Sequence, residues 1–131
     1  MPIRHLLSCS LFCLMSMIAF SQNDCQQFRT GTFQTEDNGE FISVVNRNDS
    51  LQIERMGPIE VTLRVTWTDD CTYRLSFKDG NTAFWEAVGS NAVNPDMIVH
   101  ITKVKRNGYH AEATALDGQN KVREYFLRVV E

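Results

Sequence analysis

The sequence predicts an all-β domain, a small antiparallel up-and-down meander of about eight strands that closes as a barrel or half-barrel. Three observations predict it. Apolar and polar residues alternate with period two through most of the chain. Turn chemistry recurs at short, regular intervals, and the i, i+3, i+4 pattern of an amphipathic helix is nearly absent. Each connection is short enough for a hairpin, which favours neighbour-to-neighbour order over Greek-key crossings.

The 131-residue chain opens on a segment that does not belong to this pattern. Residues 1–5 carry Arg4 and no acid. Residues 6–20 are an unbroken run of apolar and small side chains, and Ser21 precedes the polar Gln22-Asn23-Asp24. That is the layout of a secretory signal, and the run is short of the ~20 residues that span a bilayer as a helix. Residues 1–21 are therefore expected to be a cleaved signal peptide and 22–131 a single β domain. The product is expected in the periplasm or outside the cell, with no stable membrane anchor after cleavage. Neither Cys9 nor Cys25 sits in a lipobox: the first has almost no apolar stretch before it, and the second follows Gln22-Asn23-Asp24.

An opening strand is expected at 28–33, where Gly31 marks a bulge or close backbone approach. Strands at 41–47 and 51–55 flank the turn tripeptide Asn48-Asp49-Ser50. Met56-Gly57-Pro58 then punctuates. The clearest alternation follows, with Ile59, Val61, Leu63, Val65 and Trp67 on one face and Glu60, Thr62, Arg64, Thr66 and Thr68 on the other. Past the acidic turn Asp69-Asp70, it resumes with Cys71, Tyr73, Leu75 and Phe77 inward, a second hairpin. Residues 83–88 read as a short strand or one helical turn, and 89–95 as a loop. Arg106-Asn107-Gly108 contains the Asn-Gly hairpin signal between strands at 97–105 and 109–116. After Asp117-Gly118-Gln119-Asn120 the last strand runs over 121–130. Trp67, Tyr73, Phe77 and Phe126 are the expected bulky core.

Charge excludes some functions. With 13 basic and 16 acidic side chains the net charge is −3, and loss of Arg4 with the leader lowers it to −4. A nucleic-acid binder needs a basic footprint. Lys103, Lys105, Arg106, Lys121, Arg123 and Arg128 read as solvated faces and edge protection. Cys9 and Cys13 leave with the leader, so Cys25 and Cys71 can pair in one way in an oxidising compartment. The alternative is a metal site formed by Cys25, Cys71, His100 and His110, for which no local C-x-x-C or H-x-x-x-H pair exists. His100 and His110, on neighbouring strands, are either paired across the ladder or two isolated outward side chains. Asp69-Asp70 supplies too few oxygens for calcium. Ser43, Ser50, Ser76 and Ser90 lie in no Gly-x-Ser-x-Gly elbow. No enzyme, cofactor or metal is expected.

Cys25-x-x-Phe28-x-x-Gly31-x-Phe33, residues 47–54 and Trp67-x-x-Asp70-Cys71-x-Tyr73-x-Leu75 resemble a group of small exported bacterial proteins of unknown function. Some of that group carry a type II topoisomerase label, which no residue here supports. The resemblance implies a Cys25–Cys71 disulfide and no known activity. Gly31-Thr32-Phe33 is also similar to the Gly-x-aromatic of lipocalin-like barrels, with Phe in place of their usual Trp, which implies a barrel and, by analogy alone, ligand binding.

The expected function is that of a monomeric, exported binding module. A small apolar ligand or an exposed peptide would lie between the open end and Phe84-Trp85, the pair of large aromatics in the least determined segment. The alternative is a protein–protein interaction or inhibitor domain that works through its surface. Adjacent residues of an extended segment face opposite sides, which would bury Phe84 and leave Trp85 at the rim.

Overall fold

In a computed structural model, which describes residues 24–131, eight antiparallel strands close into a ring in chain order. They are β1 (Gly31–Asp37), β2 (Glu40–Arg47), β3 (Leu51–Met56), β4 (Ile59–Asp69), β5 (Thr72–Gly80), β6 (Met97–Lys105), β7 (Gly108–Ala115) and β8 (Val122–Val129). A helix, α1 (Thr82–Val88), stands between β5 and β6. The expected signal peptide lies outside the described residues.

Up-and-down order puts every odd connection at one end of the barrel and every even one at the other. The turns at 48–50, 70–71 and 106–107 share an end with Cys25, and the turns at 38–39 and 57–58 share the opposite end with α1. Asn48 illustrates why the turns form where the sequence places them. Its side-chain oxygen accepts from the amides of Ser50 and Leu51 at 3.0 and 2.8 Å, an Asx turn that reverses the chain.

The expected opening strand begins three residues late. Residues Cys25–Phe28 form a 3-10 helix, with the Asp24 carboxylate accepting from the Gln26 amide at 3.1 Å. Four residues carry too little periodicity to distinguish this turn from a strand, and Asp24 as its cap decides it. Gly31 then starts β1 at φ +141°, a conformation that side chains rarely adopt. Cys25 bonds Cys71 across the end of the barrel, Cα–Cα 5.2 Å, and ties the 3-10 helix under it.

Register fixes what faces inward. Val45 lies opposite Glu54 and Glu54 opposite Val61, so all three share the inner face; Arg47, Gln52 and Leu63 form the next level toward the disulfide. Across the ring β7 contributes the buried Ala111 and Ala113, small residues that accept the larger side chains of the facing wall. The core is completed by Phe28, Phe33, Val65, Tyr73, Leu75, Val99, Ile101, Tyr109 and Leu127.

Phe126 is corrected from core to outer face. Tyr109 pairs with Leu127 and Ala111 with Tyr125, so Tyr125 and Leu127 point inward and Phe126 outward, against His110. Three consecutive bulky residues, Tyr125-Phe126-Leu127, make the alternation degenerate at that point. Trp67 and Phe77 keep their inward register but are half-buried, lying toward opposite ends of the barrel.

Candidate functional site

The disulfide end is closed by a polar cradle around one cation. Arg47, last on β2, falls on the inner face by the alternation Ser43, Val45, Arg47, and it is 4% exposed. Its Nε donates to Gln52 Oε1 at 2.8 Å, and Nη1 donates to the Phe28 carbonyl at 2.9 Å. Nη2 donates to both the Tyr73 and Tyr109 hydroxyls at 3.0 Å. The two phenols lie 2.9 Å from each other, and the guanidinium stacks over the rings of Tyr73 and Phe33 at 4.5 and 5.0 Å. Burial pushes the Tyr73 phenol well above its ordinary range and keeps it neutral. The nearest balancing charge is relayed: Gln52 Nε2 donates to Glu54 Oε1 at 2.7 Å.

Glu54 retains some accessible surface but is enclosed by protein, and that enclosure raises its carboxyl despite the Gln52 hydrogen bond and the Arg47 charge. The raised value has a stability consequence. Between the unfolded value near ~4.3 and the higher folded one, the native chain keeps a proton that the unfolded chain has lost, so stability falls as pH rises through that window. Glu54→Gln removes this slope. Urea midpoints from pH 3.5 to 7.5 are expected to show the variant gaining on the wild type as pH rises, with little difference at pH 3.5.

At the opposite end α1 provides a second plug. Asn81 caps the helix by accepting from the Phe84 amide at 2.9 Å, and its own amide donates to the Glu60 carbonyl at 3.0 Å. Gly80 is paired with the inward-facing Val61, and a Cβ there would run into the Phe84 ring, so that ring occupies the space a side chain at 80 would take. Phe84, 8% exposed, stacks on Phe77 at 5.5 Å. Trp85 is half-buried and packs edge-on against Phe77 and Phe84. The burial of Phe84 beside a more open Trp85 agrees with expectation, but the cause differs: the segment is helical, and neighbours on a helix diverge by about 100°.

A third feature lies outside the wall. β1 pairs with β8 over only four positions, Phe33 with Val129 through Glu36 with Phe126. Above Glu36 the β1–β2 hairpin turns at Asn38-Gly39 without pairing with β8, and β8 continues upward through Val122–Tyr125 paired with β7 alone among the described residues. A groove of about 950 Å³ follows this seam. Its walls include Asp37, Lys105, His110, Arg123, Glu124 and Phe126. At its middle Arg128 clamps Glu36 with two parallel hydrogen bonds of 3.0 Å, and that hydrogen bonding holds the Glu36 carboxyl below its usual range.

No family model, curated protein or solved structure matches the chain.

The structure brings together Cys25 and Cys71, and it sets Phe84 and Trp85 side by side at the α1 end. It does not bring His100 to His110: His100 lies opposite Glu112 and bonds the Thr72 hydroxyl at 2.9 Å, and His110 lies opposite Lys103. Asp69 is a turn residue whose carboxylate accepts from the Cys71 amide at 2.8 Å. Sequence reasoning passed over Arg47, Gln52 and Glu54. A signal was available for Arg47, since an alternation through Ser43 and Val45 reaches it at the next inward position.

Proposed function

We propose that this chain is an exported, non-enzymatic interaction module that holds a protein partner in the groove along β7, β8 and β1. One observation carries the reading: a groove of about 950 Å³ runs along the outside of the β7–β8–β1 wall, while Phe28 and the Arg47 cradle are buried at one end of the barrel and Phe84 at the other. The groove's mixed polar and aromatic lining fits a protein surface better than an apolar small molecule, whose sites are predominantly hydrophobic. The Cys25–Cys71 bond fits an oxidising compartment, in keeping with the leader-like residues 1–21.

Photo-crosslinking amino acids placed in the producing cells test this. Probes at Lys105 and Val122 are expected to yield adducts, and a probe at Thr66, on the opposite wall, none. The paired exchange Arg123→Glu with Glu124→Lys is expected to abolish the adducts with the urea midpoint unmoved. Adducts confined to a probe at Trp85 would instead support the reading in which the α1 end and its aromatic pair receive a small apolar ligand.

A further inference from the structure

The upper half of β8 is a strand edge without a neighbour. Main-chain groups of Val122–Tyr125 on the side facing β1 have no strand opposite them among the described residues, because β1 stops at Asp37 and its pairing with β8 stops at Glu36. Such an edge is a template for another chain. Proteins commonly blunt it with a short strand, a bulge or a cover. Here the β1–β2 ladder shifts register between Thr35 and Glu36, beside the point where the pairing of β1 with β8 ends, and Asp37-Asn38-Gly39 line the groove without covering the strand edge.

The formal charges along the groove balance, so it has no net attraction for an anionic or cationic partner as a whole. Lys105, Arg123 and Arg128 are balanced by Glu36, Asp37 and Glu124, and two of the six are spent on each other. What the groove offers in addition is main chain. We propose that its occupant is an extended peptide segment of the partner, which pairs antiparallel with β8 over Val122–Tyr125 and continues the ring from where β1 leaves it. The proposal rests on the groove being the docking site.

Strand pairing then dictates the sequence preference. Directly opposed residues share a face, so the segment presents, in order, an apolar residue beside Tyr125, a basic one beside Glu124, an acidic one beside Arg123 and an apolar one beside Val122. Val122 is 55% exposed and open to such a contact. Four residues at about 3.4 Å each span some 14 Å. The mode is β-strand addition, in which main-chain bonds give affinity and alternate side chains give specificity.

The probe is the capped peptide acetyl-Thr-Val-Lys-Glu-Val-Thr-amide, titrated into the isotopically labelled, disulfide-bonded protein while amide resonances are followed. Shifts centred on Val122–Tyr125 and on residues 37–39 are the expected result. Two analogues, N-methylated at alternate pairs of residues, separate main chain from side chain. In a strand, successive amides point to opposite sides, so one analogue is expected to bind at least tenfold more weakly and the other like the parent. Equal binding by both analogues overturns strand pairing and leaves the groove as a side-chain site. Absence of shifts at Val122–Tyr125 with the parent peptide overturns the proposal outright, and the crosslinks from Lys105 and Val122 judge the groove independently.

Discussion

Replacing Arg47 with methionine is expected to destabilise the fold by about 3–5 kcal/mol, the range for removing one member of a buried, hydrogen-bonded charge set. Methionine is a fair match for the aliphatic stem and supplies none of the donors. The Gln52 oxygen, the Phe28 carbonyl and the two phenols each lose the guanidinium at once, and a buried acceptor left bare costs about 1–3 kcal/mol. Glu54 also loses the positive charge that favours its ionised form. Tyr109→Phe supplies the contrast, because it removes one hydroxyl from a group that keeps its other partners, and about 1 kcal/mol is expected. Urea melts at pH 7 check both. A loss under 1 kcal/mol for Arg47→Met would mean that the cradle reorganises around water and does not hold the end of the barrel.

Removal of the disulfide by Cys25→Ser with Cys71→Ser is the other large effect, with an expected loss of about 4 kcal/mol for cysteines 46 residues apart in the chain-entropy picture. The bond also acts locally. It presses Cys25–Phe28 under the ring, and the Phe28 carbonyl and aromatic face are part of the Arg47 cradle and of the Tyr109 contact at 4.9 Å. Loss of the bond and loss of Arg47 therefore strike one structure from two sides. The triple variant is expected to lose less than the sum of the separate effects, since neighbouring substitutions couple. Melts of the double and triple variants against the oxidised wild type measure this, and strict additivity would place the two contributions in separate parts of the molecule.

The strands and their order were legible because one face of each is wet, so alternation survives in residues such as 59–68, and because the turns carry their own chemistry at Asn48 and Asn107. Legibility failed where periodicity is short or saturated. The four residues Cys25–Phe28 are too few to report a period, and Tyr125-Phe126-Leu127 offers three candidates for two inward places. The helix at 82–88 is decided by the Asn81 cap on the Phe84 amide and by Gly80, four residues before Phe84, whose missing side chain leaves room for that ring, contacts that hydrophobic periodicity does not report. The groove was invisible for a further reason. It depends on how far β1 runs beside β8, a pairing of residues about ninety positions apart that no local pattern encodes. Arg47 is the opposite case, written plainly in the alternation and hidden only by the habit of placing charge outside.

The amide of Val130 donates to the Thr32 carbonyl at 2.9 Å, beside the end that Cys25 and Cys71 close. Chain direction therefore enters and leaves the ring through one doorway. A fusion partner or surface tether attached through either side of that doorway would hang from the disulfide end, and the rim formed by α1 and the Asn38-Gly39 turn would project away from the point of attachment.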